Sequence, residues 1–343
     1  MAKGLDVGTS FIVLAQDAAA NSTTDPHVVG NVQYKDFRDA FYIIKPTTPV
    51  ATKMIEKGLQ GKVFVKDADG SFIILGQDAI EKAVERNDSA KRPMYRGVVS
   101  PKEKEAKRVL AFILKEVVGT ASTPNEKLIF CVPAQPVDQE DDDFDVAYHE
   151  DVVRTVLAEQ GYAARAINEA EALCYSELEH DDYTGIGLSW GAGMVNVCVM
   201  LNGEPTVLFS TTKSGDWIDR MTAVATNEPD SVVQAEKEHG TFVIGEQNEN
   251  TILAAVSVYY ERLIDYTTKQ LAAALLDHKA LPKFKEPILI SVAGGTTRAK
   301  GFVEMFTKKL AENGFPLPVK EVRHAKDPLH AVARGCLIAA KIL

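Results

Sequence analysis

Two stretches of small residues carry the chemistry this chain could do. Gly4-Leu-Asp-Val-Gly-Thr-Ser-Phe-Ile-Val-Leu (4–14) and Gly185-Ile-Gly-Leu-Ser-Trp-Gly-Ala-Gly-Met-Val-Asn-Val-Cys-Val-Met (185–200) lie about 180 residues apart. Each reads as a short strand, a tight turn of small residues and a return strand rich in β-branched side chains. Glycines at such a turn expose backbone N–H groups, and N–H groups that converge form a concave anion site. Two of them, one in each half of the chain, suggest two lobes that clamp one polyphosphate. Asp6 stands where the first strand meets its turn, placed to hold Mg2+ through water. Gly8, Thr9 and Ser10 offer N–H and hydroxyl donors to phosphate oxygens. Taken alone, the motif reads sooner as a plain hairpin with a polar turn. A third segment, Ala293-Gly-Gly-Thr-Thr-Arg-Ala-Lys-Gly-Phe (293–302), follows a strand and opens a helix. Its glycine pair lets an anion approach the backbone at a helix N-terminus, and Arg298 could stack on a planar base. A simple strand-to-helix turn is the alternative.

The elements that must position these groups alternate between extended and helical. Residues 4–16 read as strand-turn-strand, with a third extended segment around His27–Tyr34. Phe37–Gln77 mixes short apolar runs with Pro46, Pro49, Gly58, Gly61 and an Asp69-Gly70 turn, which predicts a small, loop-rich insertion. Residues 102–118 predict an amphipathic helix with Ala106, Val109, Leu110, Ile113, Leu114 and Val117 on one face. The strand Leu128–Val132 stops at Pro133 and Pro136, and the acidic loop Asp138–Asp145 leads to a helix over Glu150–Gln160. That loop reads as a solvated surface rather than a second metal site. Ala164–Asn168 is extended, Glu169–Leu178 is helical, and the second hairpin continues through Thr206–Thr211. A long helix over 251–276 places Leu253, Val256, Tyr260, Leu263, Ile264, Thr267 and Leu271 on its inner stripe. The strand Ile288–Val292, a helix over 300–312 and the apolar helix Val332–Ile342 close the chain. Strand clusters followed by helices, twice over, indicate an α/β protein of two similar lobes.

Composition agrees. A chain of 343 residues exceeds one typical core, and 45% hydrophobic with 25% charged residues is ordinary for a globular protein. A net charge of −10 argues against a broad nucleic-acid surface. No apolar run reaches membrane-spanning length, and the first residues enter a strand at once, so neither signal peptide nor membrane anchor is expected. Cys131, Cys174, Cys198 and Cys336 are scattered in apolar stretches without metal-ligand spacing, which predicts buried reduced thiols and a cytoplasmic location.

The three small-residue segments, in this order, resemble the actin-like ATPase superfamily. Two further segments fit: Ile167-Asn-Glu-Ala-Glu-Ala-Leu is similar to that family's first connector helix, and Asp327-Pro-Leu-His-Ala-Val-Ala-Arg-Gly to its last. Arg92-Pro-Met-Tyr-Arg-Gly-Val-Val and Thr212-Lys-Ser-Gly-Asp-Trp-Ile-Asp look most like the prokaryotic actins of the MreB and MamK type. The resemblance implies a two-lobed fold in which each lobe is a mixed β-sheet flanked by helices, with small inserted subdomains. The first lobe would span 1–165 with its insertion at about 34–92. The second would span 166–325 with an abbreviated subdomain at about 214–245, and 326–343 would return to the first as a helix. It implies that Asp6, Gly8, Thr9 and Ser10 meet the β- and γ-phosphates and Mg2+, with Gly191, Ala192 and Gly193 cradling them from the other lobe. Gln234 and Lys237 would touch ribose and adenine, and Gly294, Gly295, Thr296 and Arg298 would line the adenosine pocket. Glu169 would help order the attacking water and metal shell; its alternative is a helix N-terminal carboxylate complementing the dipole.

The chain departs from that pattern at Ser189, where relatives place an aspartate in the second hairpin. Serine adds no charge against Mg2+, which predicts slow hydrolysis. The glutamate that faces the attacking water in MreB-like proteins falls among His149, Glu150 and Asp151, with Glu150 the choice. The implied function is a filament-forming actin-like protein that binds ATP or ADP with Mg2+ and hydrolyses ATP slowly. The other reading is a non-polymerising nucleotide-binding switch or adaptor of the same fold.

Overall fold

The computed structural model describes residues 2–19, 27–139, 144–277 and 284–343. In the first half, Lys3–Val7 turns through residues 8–10 into the antiparallel Phe11–Asp17, whose other edge pairs with Val32–Arg38 and then Val28–Val29. On its far side Lys3–Val7 pairs in parallel with Glu126–Val132, which pairs in parallel with Tyr162–Asn168. The second half repeats the plan. Gly185–Trp190 turns into the antiparallel Val195–Leu201, followed by Glu204–Thr211, while its other edge runs parallel to Ile288–Ala293 and then Val319–His324. In both sheets the central strand therefore carries the glycine turn at its carboxyl end, where α/β proteins place ligands.

The helices Glu169–Glu177 and Ala331–Ile342 pack on each other and on both central strands' neighbourhoods. The first starts at a capping box. Asn168 Oδ1 accepts from the Ala170 and Glu171 amides at 2.9 and 3.4 Å, and the Glu171 carboxylate accepts from the Asn168 amide. Glycines let the backbones touch. A Cβ on Gly335 would sit 1.7 Å from the Ala172 carbonyl oxygen, and one on Gly4 would sit 2.2 Å from the Leu337 nitrogen. The four cysteines are buried and unpaired, as the sequence predicts, and all lie in this layer.

The helix Thr251–Asp277 buries the whole predicted stripe. Other expectations are corrected. The segment Phe37–Gln77 is not loop-rich: Phe41–Ile44, Phe72–Leu75 and Phe64–Lys66 form a three-stranded sheet covered by the helices Pro49–Gly58 and Gln77–Val84. Pro49 starts its helix rather than breaking it, because a first-turn amide needs no intrahelical acceptor, and Thr48 Oγ1 caps it from the Ala51 amide at 3.1 Å. The helix expected from residue 102 begins at Ala106, and the one expected from Glu150 begins at Val146, capped by Asp145. Val319–His324 is a strand that charged residues disguise, since it lies at a sheet edge. The subdomain expected at about 214–245 contains the helices Gly215–Thr226 and Asp230–His239, which leaves its expected abbreviation as it stood. Within the acidic loop, residues 140–143 lie outside the described residues. Asp138 is not merely solvated: it accepts from the Thr212 amide at 2.8 Å and the Tyr266 hydroxyl at 2.7 Å.

Candidate functional site

The two glycine turns meet. Each closes on itself with one short bond, Gly8 N–H to the Phe11 carbonyl and Gly191 N–H to the Met194 carbonyl, both 3.0 Å. Their carbonyls are held by the scaffold. Ser10 O accepts from the Asp39 amide (3.0 Å), Ala192 O from the Asp216 amide (2.8 Å), and Gly191 O from the hydroxyls of Ser214 (2.6 Å) and Thr296 (2.9 Å). Among the described residues, the amides of Thr9, Ser10, Ala192 and Gly193 donate to no protein acceptor. Backbone donors this close to the interior are ordinarily paired, and four such groups on two facing turns could together hold an anion. The approach is tight: a Cβ on Gly193 would lie 2.6 Å from Thr9 Oγ1, 2.9 Å from Arg96 Cα and 3.0 Å from the Gly97 nitrogen. Thr9 Oγ1 in turn accepts from the Gly97 amide at 2.9 Å. Arg96 and Gly97 form the two-residue turn of the hairpin Met94–Tyr95/Val98–Val99, with φ of +50° and +76°, the left-handed pair such a turn requires.

Beneath the turns sit two carboxyl groups. Asp6 accepts from the Cys131 thiol at 3.1 Å, and burial pushes its pKa up to about 6 against the opposing pull of Cys131 and His330. Glu169 is buried at the start of its connector helix, where it accepts from Asn196 Nδ2 at 3.0 Å and from the Ser189 hydroxyl. Burial, reinforced by the charge on Asp6, pushes it up to about 8. No lysine or arginine pairs with either among the described residues. Two buried carboxyls, the charge on one raising the other, favour a cation between them. Among the described residues no cluster of three or more His, Cys, Asp or Glu could enclose a metal by itself. A cation there would complete its shell with water and phosphate oxygens, which is the habit of Mg2+. The donor set therefore fits a phosphate chain with its divalent ion.

Ser189 lies opposite Asn196 in the hairpin register, and both reach Glu169. Sequence reasoning missed Asn196. It is fully buried and also accepts from the Ala134 amide at 2.8 Å, tying the loop after Glu126–Val132 to the second sheet. Its place across from Ser189 was the available signal.

The remaining predicted residues are distributed as follows. Glu150 ion-pairs with Arg154 one turn along its own helix, and no described contact brings it to Asp6 or Glu169. Its neighbour His149 is fully buried with neither ring nitrogen bonded, and burial lowers its pKa to about 4. Lys237 Nζ lies 2.7 Å from Asp219 and 3.2 Å from the Gly215 carbonyl, bracing the helix start beside the second turn. Gln234 accepts from Arg92 at 3.4 Å and donates to Glu238 at 2.8 Å. Gly294 has φ +100°, and a Cβ there would lie 2.2 Å from the Trp190 carbonyl oxygen, so the turn after Ile288–Ala293 presses on the second hairpin. Gly295 and Arg298 are exposed.

Two arginines join the lobes, and nothing in the sequence signalled their partners. Arg92 forks onto Asp216 at 3.0 Å to each oxygen. Arg38 donates to the Ser10 hydroxyl at 3.1 Å and ion-pairs with Glu238 at 3.0 Å.

Comparison with known proteins agrees with the fold. Among solved structures, the chain is similar to the MamK double helical filament, 18% identical with a TM-score of 0.72 over 100% of this chain and 99% of that one. It is also similar to MreB 5 of Spiroplasma citri bound to AMPPNP, 14% identical with a TM-score of 0.67 over 99% and 96% of the two chains. The ethanolamine utilization protein EutJ from Carboxydothermus hydrogenoformans is 15% identical, with a TM-score of 0.53 over 98% and 88%. These likenesses show the two-lobed actin-like ATPase fold. No curated protein matches the chain. The Volactin family profile matches residues 1–340. Among the described residues no helix is long and apolar enough to cross a membrane.

Proposed function

The chain belongs to the Volactin family, and we propose that it binds ATP with Mg2+ between its lobes, assembles into filaments and hydrolyses the nucleotide slowly. The observation that carries this reading is the pair of facing turns with four unspent amides above the Asp6–Glu169 carboxyls.

In this reading the amides of Thr9 and Ser10 hold the phosphates from one side and those of Ala192 and Gly193 from the other. Asp6 would hold the ion through water. Bound Mg2+ supplies positive charge for the transferring phosphoryl oxygens. Glu169, held in place by Asn196, would in its ionised form accept a hydrogen bond from the attacking water. Ser189 gives its hydroxyl to Glu169 and contributes no charge of its own, and Glu150 is engaged with Arg154. Both features support slow turnover. The turn 294–298 and the helix bearing Gln234 and Lys237 flank the second phosphate turn and are assigned to the nucleoside.

Residues 1–165 and 166–325 are assigned to the two lobes, with 326–343 returning to the first; the Ala331–Ile342 helix packs on Lys3–Val7, which supports that return. The solved filament of MamK and the AMPPNP complex of MreB 5 support self-assembly and nucleotide binding. Four buried, unpaired cysteines support a cytoplasmic location.

Sedimentation with ATP and Mg2+, with AMPPNP and Mg2+, and without nucleotide tests the proposal, alongside calorimetric titration of nucleotide. Pelletable filaments under nucleotide are expected. A nucleotide-bound monomer at high protein concentration would establish the non-polymerising switch instead, and absence of binding would overturn the site.

A further inference from the structure

Asp39 is an acid out of place. It follows Arg38 at the base of the first lobe's insertion, is 1% exposed, and neither carboxyl oxygen has a well-formed hydrogen bond. The groups of opposite polarity that face it are the Met94 amide and the Arg92 guanidinium. That guanidinium is turned away, forked across the cleft onto Asp216 at 3.0 Å with its second nitrogen 3.4 Å from Gln234. Three carboxylates lie within the field of Arg92; Asp219 is paired with Lys237, and of the other two, Asp39 in the first lobe and Asp216 in the second, Arg92 pairs with Asp216.

Each of those two carboxylates is tied by its own backbone to one phosphate turn. The Asp39 amide donates to Ser10 O at 3.0 Å, and the Asp216 amide donates to Ala192 O at 2.8 Å. We propose that Arg92 is a charge-swap latch: it holds Asp216 when the lobes are closed and transfers to Asp39 when they part.

The energetics favour a swap over a simple break. Leaving Arg92 without a carboxylate as the lobes part gives up the charge-assisted bonds of its Nη1 to both Asp216 oxygens. A second carboxylate within side-chain reach offsets that loss, so opening becomes a change of partner. Burial holds the Asp39 carboxyl well above the ordinary carboxylate range even with Arg92 near, and neither of its oxygens has a well-formed hydrogen bond. Asparagine at that position keeps the shape of the unpaired side chain and removes the charged acceptor needed by the open form. Such a two-position side chain is the kind of discrete element through which a local spacing change becomes a domain motion. The link to nucleotide rests on the phosphate reading above; the exchange of partners does not.

The test uses the full chain with paired spin labels at Lys57→Cys and Glu228→Cys, exposed positions on opposite lobes, the native cysteines being buried. Distance distributions are compared for the parent, Asp39→Asn and Asp216→Asn without nucleotide, with thermal melting to verify folding. The expected result is opposite shifts. Asp216→Asn raises the long-distance population at least threefold, and Asp39→Asn lowers it at least threefold. Shifts in the same direction, or none in either variant, overturn the latch, because a merely structural pair gives no sign reversal. Adding ATP with Mg2+ should move the parent toward the short distance and leave Asp39→Asn unmoved. If calorimetry detects no ATP binding while the opposite shifts persist, the nucleotide reading falls and the latch stands.

Discussion

Substituting Gly193 by alanine probes whether the two turns act as one clamp. The added methyl would lie 2.6 Å from Thr9 Oγ1, with Arg96 Cα at 2.9 Å and the Gly97 nitrogen at 3.0 Å behind it. Thr9 cannot simply swing aside, because its hydroxyl already accepts from the Gly97 amide at 2.9 Å. Restoring ordinary contact requires the turns to part by roughly 0.8 Å. A phosphate seated between them then keeps good hydrogen bonds to one turn only, since stretching a ~2.9 Å bond by that amount takes it past useful range. Bonds to a charged group contribute about 1.5–3 kcal/mol each, so losing one amounts to roughly a ten- to hundredfold weaker Kd. Isothermal titration of Gly193→Ala with ATP and Mg2+ reads this directly, with the melting temperature of the nucleotide-free protein as the control for local strain. Affinity within about twofold of wild type, in a folded variant, would show that the turns do not share one ligand.

Three further outcomes are expected. Ser189→Asp places a third carboxylate against Asp6 and Glu169, so it should lower the melting temperature without Mg2+ and raise the ATP hydrolysis rate with it; a slower variant would count against the role given to that position. Asp6 and Glu169 are raised from 3.8 and 4.5 to about 6 and about 8, so the folded protein holds protons that the unfolded chain has lost. Their contribution to stability is therefore greatest near pH 4 and declines as pH rises to about 8; Glu169→Gln or bound Mg2+-nucleotide should flatten the upper part of that decline in a melting series. Gly335→Ala drives a methyl to 1.7 Å from the Ala172 carbonyl oxygen and should cost about 3 kcal/mol or more, seen as a melting temperature several degrees lower. Wild-type melting would contradict the backbone contact.

Much of the fold was legible because its determinants are local. The period of the 251–277 helix, the small-residue turns of the hairpins and the stop at Pro133 each lie within a few residues of the element they define. Pro49 and the charged Val319–His324 strand misled for complementary reasons. A proline is tolerated at the first turn of a helix, and an edge strand carries charge on purpose. At the site, Asp6, Glu169 and Ser189 were named from sequence because they sit at turn or helix starts. Asn196, Asp39, Arg92 and Asp216 were not named, or not paired. Their contacts join residues far apart along the chain, 124 positions for Arg92 and Asp216, and no spacing rule reaches that far.

The glycines where the connectors cross have a mechanical consequence. Side chains between packed helices normally act as a compliant pad, able to change rotamer and absorb a displacement. Where Gly335 meets Ala172 and Gly4 meets Leu337 there is no pad, only main chain on main chain. Such a joint resists compression but permits rotation, so the lobes behave as two stiff arms on a hard pivot. A sub-ångström change in turn spacing beside the pivot is delivered, enlarged, at the far ends of the arms. An adjoining subunit gripping those ends would feel the state of the cleft as a change in its own footing.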